Sequence, residues 1–314
     1  MIDLSFLHAL QGVLVVLLMV ATGYFLTRKG WLTGETRILL PRLVNYVALP
    51  TYMTWNLMTT FDHDKLLAIL PGTVVPFLSM LLSYAIGHTV SNLLGLPVNR
   101  VGTFRSMFFV SSAIFVGLPV NLALFGDSSV PYVLLFFLPN ALLFWTLGVY
   151  CISSDGKLAG NKILSLTTLK SMFSPPLMAF TAATALVLLN VRLPDVLAHT
   201  FRNLGSMTTP LSMLFIGMII YHAYLRKIRL TKDLAALLLG RFVISPLSIL
   251  LVAHFIPIPD LMRKVFVIQA AMPAMTQTSI LAKLYEADTE YAAVTTSLTV
   301  LVSMIAIPVY MVLL

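Results

Sequence analysis

The sequence predicts an all-α integral membrane protein: ten transmembrane helices forming two inverted five-helix repeats, with the fourth and ninth helices broken. Three observations predict this. The composition lacks a charged shell, ten apolar stretches reach spanning length, and prolines recur in matching stretches.

Of 314 residues, 59% are apolar and only 10% charged, and the mean hydropathy is +0.94. A soluble domain keeps about a quarter of its residues ionisable to face water, so an ordinary water-soluble fold is excluded. If lipid is the solvent, each span takes about 20 apolar residues. Ten spans then leave only short loops, and the function must be carried out within the bilayer. The net charge of +8 does not indicate nucleic acid, because the basic residues fall between apolar runs and form no continuous stripe. Cys151 is the sole cysteine, which excludes an internal disulfide, a multi-cysteine metal site and a redox pair. No two histidines stand at metal-ligand spacing, so neither a metal nor a cofactor is expected.

The spans are expected near Leu7–Leu26, Arg37–Leu57, Leu67–Val90, Arg105–Phe125, Val130–Ser153, Pro175–Val191, Gly205–Tyr224, Leu234–Phe255, Val265–Tyr285 and Tyr291–Leu314. The first is read as a retained span: Asp3 stands where a signal peptide is basic, and Arg28 and Lys29 follow the apolar run. One set of alternate loops holds fourteen basic residues: Arg28, Lys29, Arg37, Arg42, Arg100, Arg105, Lys157, Lys162, Lys170, Arg226, Lys227, Arg229, Lys232 and Lys283. The other holds five: Lys65, Arg192, Arg202, Arg263 and Lys264. Lys and Arg near span ends resist translocation, so this multi-pass chain of the cell membrane is expected to have both termini outside.

Proline supplies the repeat. Pro50 of the second span matches Pro210 of the seventh, Pro76 of the third matches Pro246 of the eighth, and Pro119 of the fourth matches Pro273 of the ninth. Residues 1–154 and 175–314 then form two five-span halves joined by a polar cytoplasmic linker at 155–174. Because five is odd, the second half lies inverted relative to the first, an arrangement found in many secondary transporters. A proline removes an amide donor and frees a carbonyl one turn back. Irregular backbone at membrane depth survives only when buried or lining a wet cavity. Breaks near Gly117 and Pro119 and near Pro273, at equivalent places in inverted halves, point to a midplane binding site. Ser111, Ser112, Asn121, Thr276, Gln277 and Thr278 supply polar side chains at that depth, and half-helix N-termini aimed at the breaks favour an anion.

All twelve acids lie in loops or at span ends, which gives no support to a buried carboxylate relay. Arg241 alone among the basic residues lies well inside a span. It has two readings. It binds an anionic substrate, or it caps free carbonyls at a broken helix or snorkels to the basic face; the second reading is slightly the stronger. An intramembrane protease is disfavoured, since Ser111 and Ser112 have no mid-membrane His or Lys to activate them. A transporter-like sensor that binds an organic acid without net flux is the alternative to a carrier.

The segments Gly23-Tyr24-Phe25-Leu26, Val47-Ala48-Leu49-Pro50, Val116-Gly117-Leu118-Pro119, Leu124-Phe125-Gly126-Asp127, Leu143-Phe144-Trp145-Thr146-Leu147-Gly148, Gln269-Ala270-Ala271-Met272-Pro273 and Ala282-Lys283-Leu284-Tyr285 together resemble the auxin efflux carrier family, collinearly over nearly the whole chain. The family includes plant auxin exporters and microbial permeases for malate, malonate and related acids. The resemblance implies a scaffold of spans 1, 2, 6 and 7 and a moving transport domain of spans 3–5 and 8–10. It further implies a crossing of the fourth and ninth spans at Pro119 and Pro273 near the midplane, elevator-type movement, and a homodimer joined through the scaffold. Asn140 stands where auxin carriers have a substrate-facing glutamine, which implies a ligand; interhelical hydrogen bonding is its other reading. Two departures weaken auxin itself as cargo. Ser112 replaces an asparagine common in the family, and the third span lacks the acidic residue of the plant carriers. A small carboxylate is the expected partner, with membrane lipid around the protein and no nucleic acid.

Overall fold

The computed structural model describes residues 4–156, 175–222 and 231–313. The linker from 157 onward, and with it Lys157, Lys162, Lys170, Arg226, Lys227 and Arg229, lies outside the described residues. Within them the chain is helical, with no strand and one isolated β-bridge. In order, the helices are α1 (Leu4–Arg28), α2 (Thr36–Leu43), α3 (Leu49–Thr60), α4 (His63–Ile69), α5 (Val74–Leu93), α6 (Val101–Phe109), α7 (Leu118–Phe125), α8 (Val130–Leu143) and α9 (Val149–Ser154). After the linker come α10 (Pro175–Leu188), α11 (Asp195–Gly205), α12 (Thr208–His222), α13 (Lys232–Leu239), α14 (Ser245–Phe255), α15 (Asp260–Ala270), α16 (Thr276–Leu284) and α17 (Thr289–Leu313).

Several of these are segments of one longer rod. Five-residue π turns join α2 to α3, lead into α7, and join α8 to α9 and α13 to α14. Among the described residues, five helical stretches are long and apolar enough to cross a membrane: His63–Leu93, Asp127–Ser154, Asp195–His222, Lys232–Phe255 and Thr289–Tyr310. Leu14–Arg28, Ala113–Phe125 and Pro175–Leu188 are shorter apolar helices. The fourth, seventh and ninth expected spans begin earlier than their apolar windows, at Val101, Asp195 and Asp260.

Three of the prolines that marked the repeat closely follow π turns inside these rods, where the widened turn accommodates the missing amide. Pro50 and Pro119 lie within the first two residues of α3 and α7, and Pro246 does the same in α14.

Two sets of helix contacts stand out, joined by the packing of α1 on α7, where a Cβ at Gly12 would overlap the backbone of Ala123. In one, α1 lies along α12, and α3 lies against α10 and α11. The α1–α12 approach is so close that a Cβ at Gly217 would overlap the backbone of Val20 and Gly23, and one at Gly23 would overlap that of Leu214. In lipid, where apolar surface gains nothing by leaving water, such small-residue contacts are what hold helices together. In the other group α5 packs on α6 and α14, α6 on α9, α14 on α15, and α16 on α17. Ser79 and Ser83 of α5 donate to the carbonyl and hydroxyl of Ser248 on α14. Between the groups, the Tyr52 hydroxyl of α3 donates to Asp127 Oδ1 at 2.8 Å.

Asp155, just past α9, caps α6. Its carboxylate accepts from the amides of Gly102 and Thr103, each at 2.6 Å, and from Thr103 Oγ1 at 2.8 Å. Burial nevertheless pushes its pKa up to about 6, with the hydrogen bonds opposing that rise. The folded protein therefore holds this proton more tightly than the unfolded chain, whose aspartates titrate near 4. The contribution is fully present below about pH 4 and is lost as pH rises through about 6, by at most about 3 kcal/mol. Thermal unfolding in detergent micelles between pH 4 and pH 7 should show this loss, and Asp155→Asn should flatten it; an unchanged slope in the variant would exclude Asp155 as the source.

Candidate substrate site at the helix crossing

The site begins where two helices stop. α6 ends at Phe109, and the chain turns extended at Val110 (φ −98°, ψ 133°) before the π turn Ala113–Gly117 leads into α7. α15 ends at Ala270, and α16 starts only at Thr276. The two interruptions meet: Ser111 and Ala274 form an antiparallel bridge, and the Ser112 amide donates to the Pro273 carbonyl at 2.8 Å.

Unpaired backbone at this depth would cost several kcal/mol per group, and neighbouring helices supply the partners. The Asn140 side chain on α8 satisfies both backbone groups of Ser111, accepting from its amide at 3.1 Å and donating to its carbonyl at 3.0 Å. On the opposite side, Thr299 Oγ1 of α17 accepts from the Ala274 amide at 3.2 Å.

Arg241 serves the helix ends. It lies in the π turn between α13 and α14 and is 1% exposed. Nη2 donates to the Ala270 carbonyl at 2.6 Å, and Nη1 lies 3.4 Å from the carbonyls of Met107 and Phe108. Ser245 Oγ, one turn on, also donates to the Phe108 carbonyl at 3.0 Å. One guanidinium thus covers the C-terminal carbonyls of both α6 and α15, where the partial charge is negative. Of the two sequence readings of Arg241, this geometry matches the cap.

A cavity of about 330 Å³ opens on the other side of the crossing. Ser112 and Ala113, at the start of the helix leading into α7, line it together with Met275 and Gln277 at the start of α16. Asn140 and Trp145 contribute from the rod of α8 and α9, Asn45 and Tyr46 from the π turn before α3, and Pro175 and Pro176 from the start of α10. No lining residue carries a charge. First-turn amides have no partner within their own helix, so two helix N-termini offer donors and partial positive charge to this space.

Of the residues singled out in the sequence, Ser112, Asn140 and Gln277 line the cavity. Ser111 and Thr278 are buried at the crossing, and Thr276 Oγ1 donates to Gln277 Oε1 at 3.3 Å. Pro273 contributes its carbonyl to the crossing. Asn121 turns inward, donating to the Gly117 carbonyl at 2.7 Å. Pro119 is not at the break: the interruption in the fourth span falls at Val110–Ser112, and Pro119 lies within the following helix, where the π turn absorbs its missing amide. Sequence reasoning missed Gln269 and Thr299 as structural members of the site. Gln269 is fully buried, has no side-chain partner among the described residues, and abuts Gly117 so closely that a Cβ there would overlap its amide. Gln269 carries a signal only as part of the Gln269–Pro273 motif, and Thr299 is one of several hydroxyl residues on its helix.

The profile of a family described as membrane transport protein matches residues 8–311. Two relatives are similar over nearly their whole length. An uncharacterized transporter of Methanocaldococcus jannaschii is 26% identical over 306 residues, covering 95% of this chain and 96% of its own. An uncharacterized transporter of Methanothermobacter thermautotrophicus is 26% identical over 314 residues, covering 98% and 99%.

Two outcomes test the crossing. Asn140→Ala strips both backbone groups of Ser111 of their partners and should destabilise the purified protein by about 2–4 kcal/mol, read as a lowered midpoint of thermal unfolding; an unchanged midpoint would show that water replaces the amide without loss. Gly117→Ala should also destabilise, and adding Gln269→Ala should restore most of that loss. Additive effects of the two substitutions would mean that the contact carries no strain.

Proposed function

The chain belongs to the membrane transport protein family, that of the auxin efflux carriers, and on this basis we propose that it is a secondary carrier of small organic anions such as malate, malonate or an auxin-like acid. One observation carries the proposal. An uncharged cavity of about 330 Å³ lies where two helix N-termini converge beside the Asn140 amide, a setting that attracts a carboxylate and offers a cation no counter-charge.

In this reading the helices make ten spans: α1, α2–α3, α4–α5, α6–α7, α8–α9, α10, α11–α12, α13–α14, α15–α16 and α17. They form two inverted five-span repeats. Spans 1, 2, 6 and 7 are the scaffold, through which two copies pair, and spans 3–5 and 8–10 move as the transport domain. The mutual packing of α1 with α12 and of α3 with α10 and α11 supports this division. So does the position of the cavity, which draws residues from both groups. Substrate bound at the crossing then travels with the moving domain, past a fixed wall made by Asn45, Tyr46, Pro175 and Pro176.

The positive-inside count puts both termini outside the cell membrane, and the start of α10 and the segment before α3 on the cytoplasmic side. The cavity then faces inward. The Tyr52–Asp127 hydrogen bond belongs to the opposite, closed side. Transport by this family is not an enzymatic reaction, and the site calls for no cofactor.

Purified protein in proteoliposomes should catalyse saturable uptake or counterflow of labelled malate, malonate or lactate. Loss of flux in Asn140→Ala would tie that transport to the crossing. Saturable binding of these acids with no flux would replace the carrier with a sensor, and neither binding nor flux would overturn the anion assignment.

A further inference from the structure

The crossing has an electrostatic balance that the cavity alone does not reveal. Four helix ends meet there: the C-termini of α6 and α15 and the N-termini leading into α7 and α16. Each C-terminus carries roughly half a negative charge and each N-terminus roughly half a positive one, so the four ends sum to about zero. Arg241 is added to them. Its guanidinium bonds only carbonyls, those of Ala270, Met107 and Phe108. Among the described residues no carboxylate pairs with it. Asp233, two turns away on the same rod, lies 3.4 Å from Arg100 instead.

A buried positive charge of this kind is rare and expensive unless something compensates it. Here the carbonyl bonds cancel the two negative helix ends, which leaves the two positive ends facing the cavity unopposed. We propose that Arg241 is a positioning residue that sets the charge of the cargo: it gives the empty crossing one net positive charge, so the carrier takes its substrate as a monoanion. A monocarboxylate fits as it stands, and a dicarboxylate is carried singly protonated. A dianion would leave the loaded crossing with an excess negative charge in a low-dielectric setting, where such an excess is disfavoured. This inference rests on the anion-carrier reading and adds the valence of the bound species. Arg241 does not line the cavity; it acts through the helix ends that it holds.

The test compares lactate with malonate in proteoliposomes of the wild-type protein across the second ionisation of malonate. Apparent affinity scales with the fraction of ligand in the competent form. Malonate affinity, counted on total malonate, should therefore weaken by about tenfold per pH unit above that ionisation, while lactate affinity stays level and controls for effects of pH on the protein. Two variants form the second arm. Arg241→Lys, which keeps the charge but not the fork that spans both helix ends, should retain clearly more lactate affinity than the uncharged variant. Arg241→Gln, which keeps a donor and loses the charge, should weaken it by about tenfold or more, while the affinity for the uncharged analogue lactamide does not change between them. If Arg241→Gln does not fold, the wild-type pH arm decides. Malonate affinity as level with pH as that of lactate, or equal losses in the Lys and Gln variants, would overturn the proposal. Absence of flux for both acids at every pH would instead overturn the carrier reading on which it rests.

Discussion

The requirement that backbone groups at membrane depth find partners inside the protein governs the rest of this structure. Two helices stop in the middle of the bundle, and each stop exposes donors and acceptors that lipid cannot satisfy. The partners are specific. Asn140 holds both groups of Ser111, the Pro273 carbonyl takes the Ser112 amide, Thr299 takes the Ala274 amide, and Arg241 covers the carbonyls of two helix ends. These bonds satisfy the helix C-termini and the irregular segments, while the Gln269 amide and Ser111 Oγ stay without partners among the described residues. The lining of the cavity beside the crossing is thus set by how the two interruptions find their backbone partners.

The two helix groups differ in how they are held together. The α1–α12 contact uses glycine to bring backbones into touch and forms a tight, smooth surface. The other group contains the buried polar contacts: serines between α5 and α14, the Asp155 cap on α6, and the crossing itself. Polar contacts fix register, since each has a single geometry that satisfies it, and the glycine contacts set how closely the backbones approach. The group holding the candidate site is therefore the one whose register is set by side-chain hydrogen bonds.

Much of this was legible in the sequence. Composition alone required helices in lipid, and the paired prolines located the rods that carry the interruptions. What the prolines did not reveal is where the fourth rod breaks. Pro119 is accommodated by a π turn, and the interruption at Val110–Ser112 has no local signal, because it is stabilised by residues 29 and 161 positions away, Asn140 and Pro273. Arg241 was conspicuous as a charge in an apolar run, yet its choice between ligand and cap depended on which carbonyls the fold would bring to it. Gln269 was visible only as part of a motif, since its contact with Gly117 joins the two halves of the chain.

The Ser111–Ala274 bridge joins segments that a ribosome makes more than 160 residues apart. When the first of the two interrupted helices enters the membrane, neither Pro273 nor Arg241 has been synthesised. Asn140 follows within the next hairpin and is the earliest available partner for the exposed stretch. Of the groups that hold the crossing, those on the first half of the chain are thus complete before the second half is made.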